Sequence, residues 1–214
     1  MSNWVASLPA LLEGIQLTLE IFILTLVLSL PLGVLVALFR IAPWRIIRLA
    51  TGGFIWLMRG TPLLLQLLFV YYFLPTIGLK FNDFSSAIIT FVLNYSAYFA
   101  EIFRGGIQSI DKGQYEAAKT LGMDYIQTMR RIILPQMVRR VLPPVSNETI
   151  TLVKDTSLIY ILAMNDLLRV TRTMVQREFD LTPFLIAGGF YLLFTLLLTW
   201  LFDYLEDRYR VYDR

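Results

Sequence analysis

The chain has 214 residues, of which 57% are hydrophobic and 16% charged, with a formal net charge of +3. Soluble domains run at roughly 45–50% and 25%, so this composition excludes a water-exposed globule and predicts a chain solvated by lipid. The length allows one domain of several spans and excludes a second sizeable soluble domain. Cysteine and histidine are both absent, which excludes disulfide and thiolate chemistry and removes the commonest general base and zinc ligand.

In chain order, the run from Leu8 to Phe39 exceeds the roughly 20 apolar residues a span requires and is interrupted mainly by Glu13, Gln16 and Glu20. No basic region or small-residue cleavage site precedes it, so a retained anchor is expected rather than a removable signal. A basic hinge from Arg40 to Arg48, with Pro43 inside it, leads to a second run, Ala50 to Leu74. That run contains Arg59-Gly60-Thr61-Pro62, where a proline without a backbone donor predicts a bend, either as a hinge or as a plain kink. Pro75 and Gly78 mark a turn. A third run, Phe84 to Phe103, carries Asn94, Ser96 and Glu101; a fourth, Val141 to Met164, carries Asn147, Glu148, Lys154 and Asp155; the fifth, Pro183 to Phe202, is the cleanest. The expectation is an all-α membrane protein of about five transmembrane helices in a single domain, 1–214.

Alternate connections differ in charge. Arg40, Arg45 and Arg48, then Arg104, Lys112, Lys119, Arg130, Arg131, Arg139 and Arg140, then Arg208, Arg210 and Arg214 fall on one side, against Lys80, Arg169, Arg172 and Arg177 on the other. The positive-inside rule therefore predicts an outer N-terminus and a cytoplasmic C-terminus. The connection of residues 105–140 is far longer than the 2–8 residues usual between packed helices, which predicts structure and function of its own.

Within that connection stand Glu116-Ala117-Ala118, then Gly122, then Ile132-Ile133-Leu134-Pro135. Ala117, Ala118 and Leu121 give a short helix with a small apolar face, Gly122 permits a left-handed stop, and a second helix runs on to Pro135. Two such helices make a compact knob, suited to a protein groove or, alternatively, to lipid headgroups. The spacing of Glu116, Ala117, Ala118, Gly122, Ile132, Leu134 and Pro135 resembles the cytoplasmic coupling loop of permease subunits of binding-protein-dependent ABC importers. Arg59 to Gln66, Asn94 to Ile102 and Leu152 to Ser157 resemble stretches of the polar-amino-acid branch, with Tyr95 standing where a smaller residue is expected.

The resemblance implies a permease of the bacterial cytoplasmic membrane that moves a polar amino acid inward by alternating access. It implies two ATPase subunits docked on 105–140, a second permease subunit, identical or paralogous, and an extracytoplasmic amino-acid-binding protein, met by the 164–182 connection or not, while no nucleic-acid partner is expected. No Gly-Lys pair occurs, so this chain lacks the phosphate-cradling motif. ATP and Mg would belong to the partner ATPase, and no cofactor is expected on this chain.

A Lys or Asp at the centre of a spanning helix costs about 2.5–3.5 kcal/mol unless it faces protein or water. Asn94, Tyr98 and Glu101 form one helical stripe; Asn147, Thr151 and Lys154 form another, with Glu148 and Asp155 beside it. Together with Thr61 and Gln66, all of these except Asn147 are the candidate substrate-binding residues, because an amino acid presents an ammonium and a carboxylate at once. The competing reading is that Lys154 pairs with one of the carboxylates and ties the bundle together. An ion-driven secondary transporter would also use intramembrane charges, but usually with more spans and inverted repeats, and it needs no docking knob. A membrane enzyme lacks its nucleophile and base here.

Overall fold

The computed structural model describes residues 4–210; Arg214, counted above with the basic tail, lies outside them. Among the described residues the chain is helical, with no strand. α1 (Trp4–Ile41) is followed by α2 (Arg45–Gly60), and α3 (Leu63–Leu68) continues through a π turn, Phe69–Phe73, and a 3-10 turn, Leu74–Ile77. α4 (Asp83–Gln108) is capped by the Asn82 side chain, which accepts from the Ser85 N–H at 2.7 Å. α5 (Lys112–Thr120) and α6 (Tyr125–Thr128) precede α7 (Leu134–Asp155), α8 (Leu167–Glu178) and α9 (Thr182–Arg210).

Among the described residues three helices are long and apolar enough to cross a membrane, Leu8–Ile41, Asp83–Gln108 and Thr182–Tyr209, and the pair Arg45–Gly60 and Leu63–Ile77 qualifies jointly. The second apolar run is thus not one straight span, because its two halves meet at 105°. The cause is local. Proline disfavours helical backbone in the residue before it, and Thr61 is extended at φ −121° and ψ 147°. α7 has the length of a span but carries Arg139, Arg140, Glu148, Lys154 and Asp155, and falls short in apolarity.

A second difference lies in the long connection. The helix expected to stop at Pro135 does not stop there. α6 passes through a π turn, Met129–Ile133, directly into α7, and Pro135 sits in the first turn of α7, where a missing N–H is tolerated. One nearly continuous rod therefore runs from 125 to 155, about 45 Å at 1.5 Å per residue.

α4 is the axis of the bundle. Phe91, Tyr95, Phe99 and Phe103, four residues apart, form a ladder of buried rings with successive centroids 6.3 Å apart. α1 packs along it most extensively, and a Cβ at Gly33 would meet the Phe99 Cβ at 2.7 Å. α7 returns antiparallel: Met137 and Val141 lie against Gly106 near its start, and Asp155 meets Tyr95 at its end. α5–α6 and α8 consequently occupy opposite ends of the α4–α7 pair. α8 rests on α1, where Thr18 Oγ1 accepts from the Leu167 N–H at 3.3 Å. Its cap, Asp166, accepts from the N–H groups of Leu168 and Arg169, and burial pushes its carboxyl up to about 6. α9 covers the outside, with Leu192, Leu196 and Trp200 exposed, as a lipid-facing helix requires.

At Gly106 α4 and α7 approach closely, since a Cβ there would overlap Val141 Cγ1 and meet Met137 Cγ at 3.3 Å. Gly106→Ala is expected to cost about 1–3 kcal/mol by overpacking, lowering the thermal midpoint of the detergent-purified protein. Gly105→Ala, with nothing within 4 Å, is expected to leave it unchanged; equal behaviour of the two variants would contradict this packing.

Candidate functional site

The residues singled out from the sequence divide into three groups. The first belongs to the break between α2 and α3. Pro62 brings no N–H, so the Met58 carbonyl loses its helical partner. Gln66 Nε2 donates to that carbonyl at 2.9 Å, and Asn94 Nδ2 donates to it at 3.0 Å. Gln66 Nε2 also reaches Thr61 Oγ1 at 2.8 Å, and Asn94 Nδ2 reaches Gln66 Oε1 at 3.0 Å. Asn94, Gln66 and Thr61 thus satisfy a broken backbone and pin the bend to α4.

The second group lines one open polar cavity of about 430 Å³ formed by Arg59, Tyr98, Glu101, Ile102, Pro144, Asn147 and Glu148. Arg104 grips Glu101 with both Nε (2.9 Å) and Nη2 (2.6 Å), and Arg59 Nη1 stands 3.8 Å from the same carboxylate. The Arg59 guanidinium also lies 5.2 Å from the Tyr98 ring centroid. Glu101 is therefore neutralised by its neighbours. Glu148 makes no hydrogen bond or ion pair among the described residues. The cavity accordingly offers one shared guanidinium, one unpaired carboxylate, an amide and a phenol, which is the chemistry needed to hold a carboxylate and an ammonium together.

The third group continues along α7. Thr151 and the exposed Lys154 follow Asn147 on the stripe that the rest of the chain leaves uncovered, and the Thr151 hydroxyl donates to the Asn147 carbonyl at 2.9 Å. Asp155 turns the other way and accepts from the buried Tyr95 hydroxyl at 2.8 Å. Lys154 forms no ion pair within 4 Å among the described residues. Three residues outside the candidate set matter. Arg59 and Asn147 line the cavity, and their signal was a charged and a polar side chain on otherwise apolar helices; Tyr95, noted only for its bulk, holds Asp155.

At the other end of α7 stands the knob. Asp111 caps α5 by accepting from the Gly113 N–H at 2.6 Å, and Asp124 and Gln127 form a reciprocal capping box on α6. Gly122, at φ +74°, closes α5: its N–H bonds the Lys119 carbonyl and the Met123 N–H bonds the Ala118 carbonyl, both at 3.0 Å. Ala118 is buried inside the knob, whereas Glu116 and Ala117 face outward beside the exposed Leu121, Tyr125 and Ile126. Ile132 is half-buried, and Leu134 and Pro135 are exposed where the rod leaves the knob. Gln136 ties the rod to α5 through Gln114 at 3.2 Å. The knob has an uncovered apolar face and is continuous, through the π turn, with the helix that carries the polar stripe.

Residues 29–211 match the family described as binding-protein-dependent transport system inner membrane component, and the chain belongs to it. Within that class it is a permease subunit of the amino-acid ABC importers. The chain is 34% identical to the arginine transport system permease protein ArtQ of Bacillus subtilis, over 99% of this chain and 98% of that one. It is 36% identical to the glutamine transport system permease protein GlnP of Escherichia coli K12, over 96% and 95%. A crystal structure of an amino acid ABC transporter with histidines superposes with a TM-score of 0.89 at 32% identity, covering 96% and 97% of the two chains. These matches give the ion-driven reading no support.

Replacing Asn94 by Leu removes one donor from the Met58 carbonyl and one from Gln66, leaving them partly unsatisfied; the expected cost is about 1–3 kcal/mol. Thermal melts in detergent check it, and an unchanged midpoint would mean that the amides do not hold the bend.

Proposed function

We propose that this chain carries a polar amino acid across the bacterial cytoplasmic membrane along the polar face of α4 and α7, with Glu148, Asn147, Arg59 and Tyr98 meeting the substrate. The observation that carries this reading is the cavity itself. It joins an unpaired carboxylate and a guanidinium on helices that otherwise present apolar surface, where such groups are costly unless they serve water or a solute. Glu101, held by Arg104, positions Arg59. Thr151 and Lys154 extend the polar track, Asp155 anchors this end of α7 to Tyr95, and the amide latch of Thr61, Gln66 and Asn94 fixes the broken helix that supplies Arg59.

The polar stripe is open on the side that this chain does not cover, which supports a second permease subunit facing it and a path between or along the two protomers. The family's name implies a binding protein, and ABC transport implies ATPases, one for each permease of the pair. We assign their docking face to Ala117, Leu121, Tyr125 and Ile126, with Glu116 at its edge and Gly122, Ile132, Leu134 and Pro135 shaping it. ATP and Mg act on those subunits and no cofactor resides on this chain. On this reading α7 works as a rod. Movement of the knob is transmitted through the 125–155 helix to Asn147 and Lys154, switching the cavity between inward and outward access. Residues 1–214 form one permease domain of about five spans, counting α7, with 105–140 as its coupling segment. The excess of basic residues in the connections on the knob side supports a cytoplasmic knob, an outer N-terminus and a cytoplasmic C-terminus.

Two measurements in proteoliposomes holding the assembled complex test this. Glu148→Gln is expected to raise the substrate concentration for half-maximal uptake roughly tenfold or more, the loss of one charge-assisted hydrogen bond, with ATPase assembly intact; unaltered uptake kinetics would remove Glu148 from the path. Gly122→Val forces a β-branched residue to φ +74°. Its expected result is ATP hydrolysis and uptake both reduced roughly tenfold or more in an inserted protein, as misplaced docking demands, and wild-type coupling would contradict the role of the knob.

A further inference from the structure

At the end of the molecule opposite the knob, α8 presents Arg169, Arg172, Thr173 and Gln176 along one stripe. With Tyr160 and Ile161 they line a half-open cavity of about 300 Å³. The Arg172 guanidinium lies 5.7 Å from the Tyr160 ring centroid, and Arg169 Nη1 donates to the Tyr160 carbonyl at 3.4 Å. Every side chain on that stripe can donate a hydrogen bond, and none carries a carboxylate.

The acids of the same connection are all engaged elsewhere. Asp166 accepts from the first N–H groups of α8, Glu178 pairs with Arg177 at 3.4 Å, and Asp180 accepts from Thr182 at 3.0 Å and 2.6 Å. Arg172 is exposed, stacked on a tyrosine, and has no carboxylate partner among the described residues. A stacked guanidinium beside a second one, with a hydroxyl and an amide in reach, is a preorganised receptor for a planar carboxylate.

We propose that this cavity is a docking socket for an aspartate or glutamate side chain on the surface of the extracytoplasmic amino-acid-binding protein. A free amino acid fits it poorly, because its ammonium would lie beside two guanidiniums with no carboxylate to receive it. A side-chain carboxylate brings no such cation. The half-open shape and the exposure of Arg172 admit a side chain reaching in from a facing protein surface. The proposal rests on the function assigned above, which puts α8 on the outer face.

The test uses the full complex with its ATPases in nanodiscs, titrated with the amino-acid-binding protein that stimulates its ATPase activity. Arg172→Glu is expected to raise the half-stimulating concentration of binding protein roughly tenfold or more, Arg172→Gln less, with maximal and basal rates retained. Rising salt should weaken stimulation of the unaltered complex and converge it on Arg172→Gln. Arg177→Gln, exposed on the same helix but outside the cavity, is the control and should behave as the unaltered chain. An Arg172→Glu titration that overlays the unaltered one overturns the socket while leaving the function intact. So does a shift that occurs only with anionic lipid, which would assign the cavity to phosphate headgroups. Failure of any binding protein to stimulate the unaltered complex would overturn the function and the socket together.

Discussion

Lipid offers no hydrogen bonds, and this one constraint orders the molecule. Every polar group on a spanning helix must be satisfied within the chain or face water, solute or another protein. α1 beyond Glu20 and α9 before Asp203 meet the constraint mainly by apolar composition. α4 and α7 meet it by geometry, burying the aromatic ladder within the bundle and the Gly106 contact between them, and turning Tyr98, Glu101, Asn147, Glu148 and Lys154 to a common uncovered side. The break after Gly60 obeys the same rule at backbone level, since the carbonyl that Pro62 strands receives two side-chain amides instead of remaining bare in an apolar interior.

From that arrangement the mechanical logic follows. The knob and the polar stripe are not separate modules joined by a loop. They are two ends of one rod, and the π turn at Met129–Ile133 lets helix run past Pro135 without interruption. On the proposed function, displacement of the knob by a partner moves Asn147 and Glu148 relative to Arg59 and Tyr98, which are carried by α2 and α4.

Much of this was legible in the residues. The turn that closes α5 was readable from a backbone requirement: a left-handed stop needs a glycine, and Gly122 does adopt that conformation. The bend at Pro62 was readable for the same reason. Helical periodicity placed Tyr98 with Glu101, and Asn147 with Lys154, on shared faces. What periodicity cannot supply is the partner across the gap. It ranked Asn94 with Glu101 as substrate contacts, although Asn94 is consumed by the Met58 carbonyl, and it left Tyr95 as a mere bulk change, although its hydroxyl secures Asp155. Arg59 was hidden for a related reason, since a residue at the end of a helix points according to the break that follows it. Continuity through Pro135 was illegible because a π turn has no composition signature.

The central claim is that the uncovered polar stripe of α7 faces an aqueous path, not lipid. The chain contains no cysteine, so single Asn147→Cys, Lys154→Cys and Leu196→Cys variants of the assembled, membrane-embedded complex can be compared directly by their rates of reaction with a hydrophilic maleimide. The account predicts fast, substrate-protectable labelling of Asn147→Cys, labelling of Lys154→Cys, and none at the lipid-facing Leu196→Cys. Equal protection of all three positions, with labelling appearing only on detergent extraction, would contradict it.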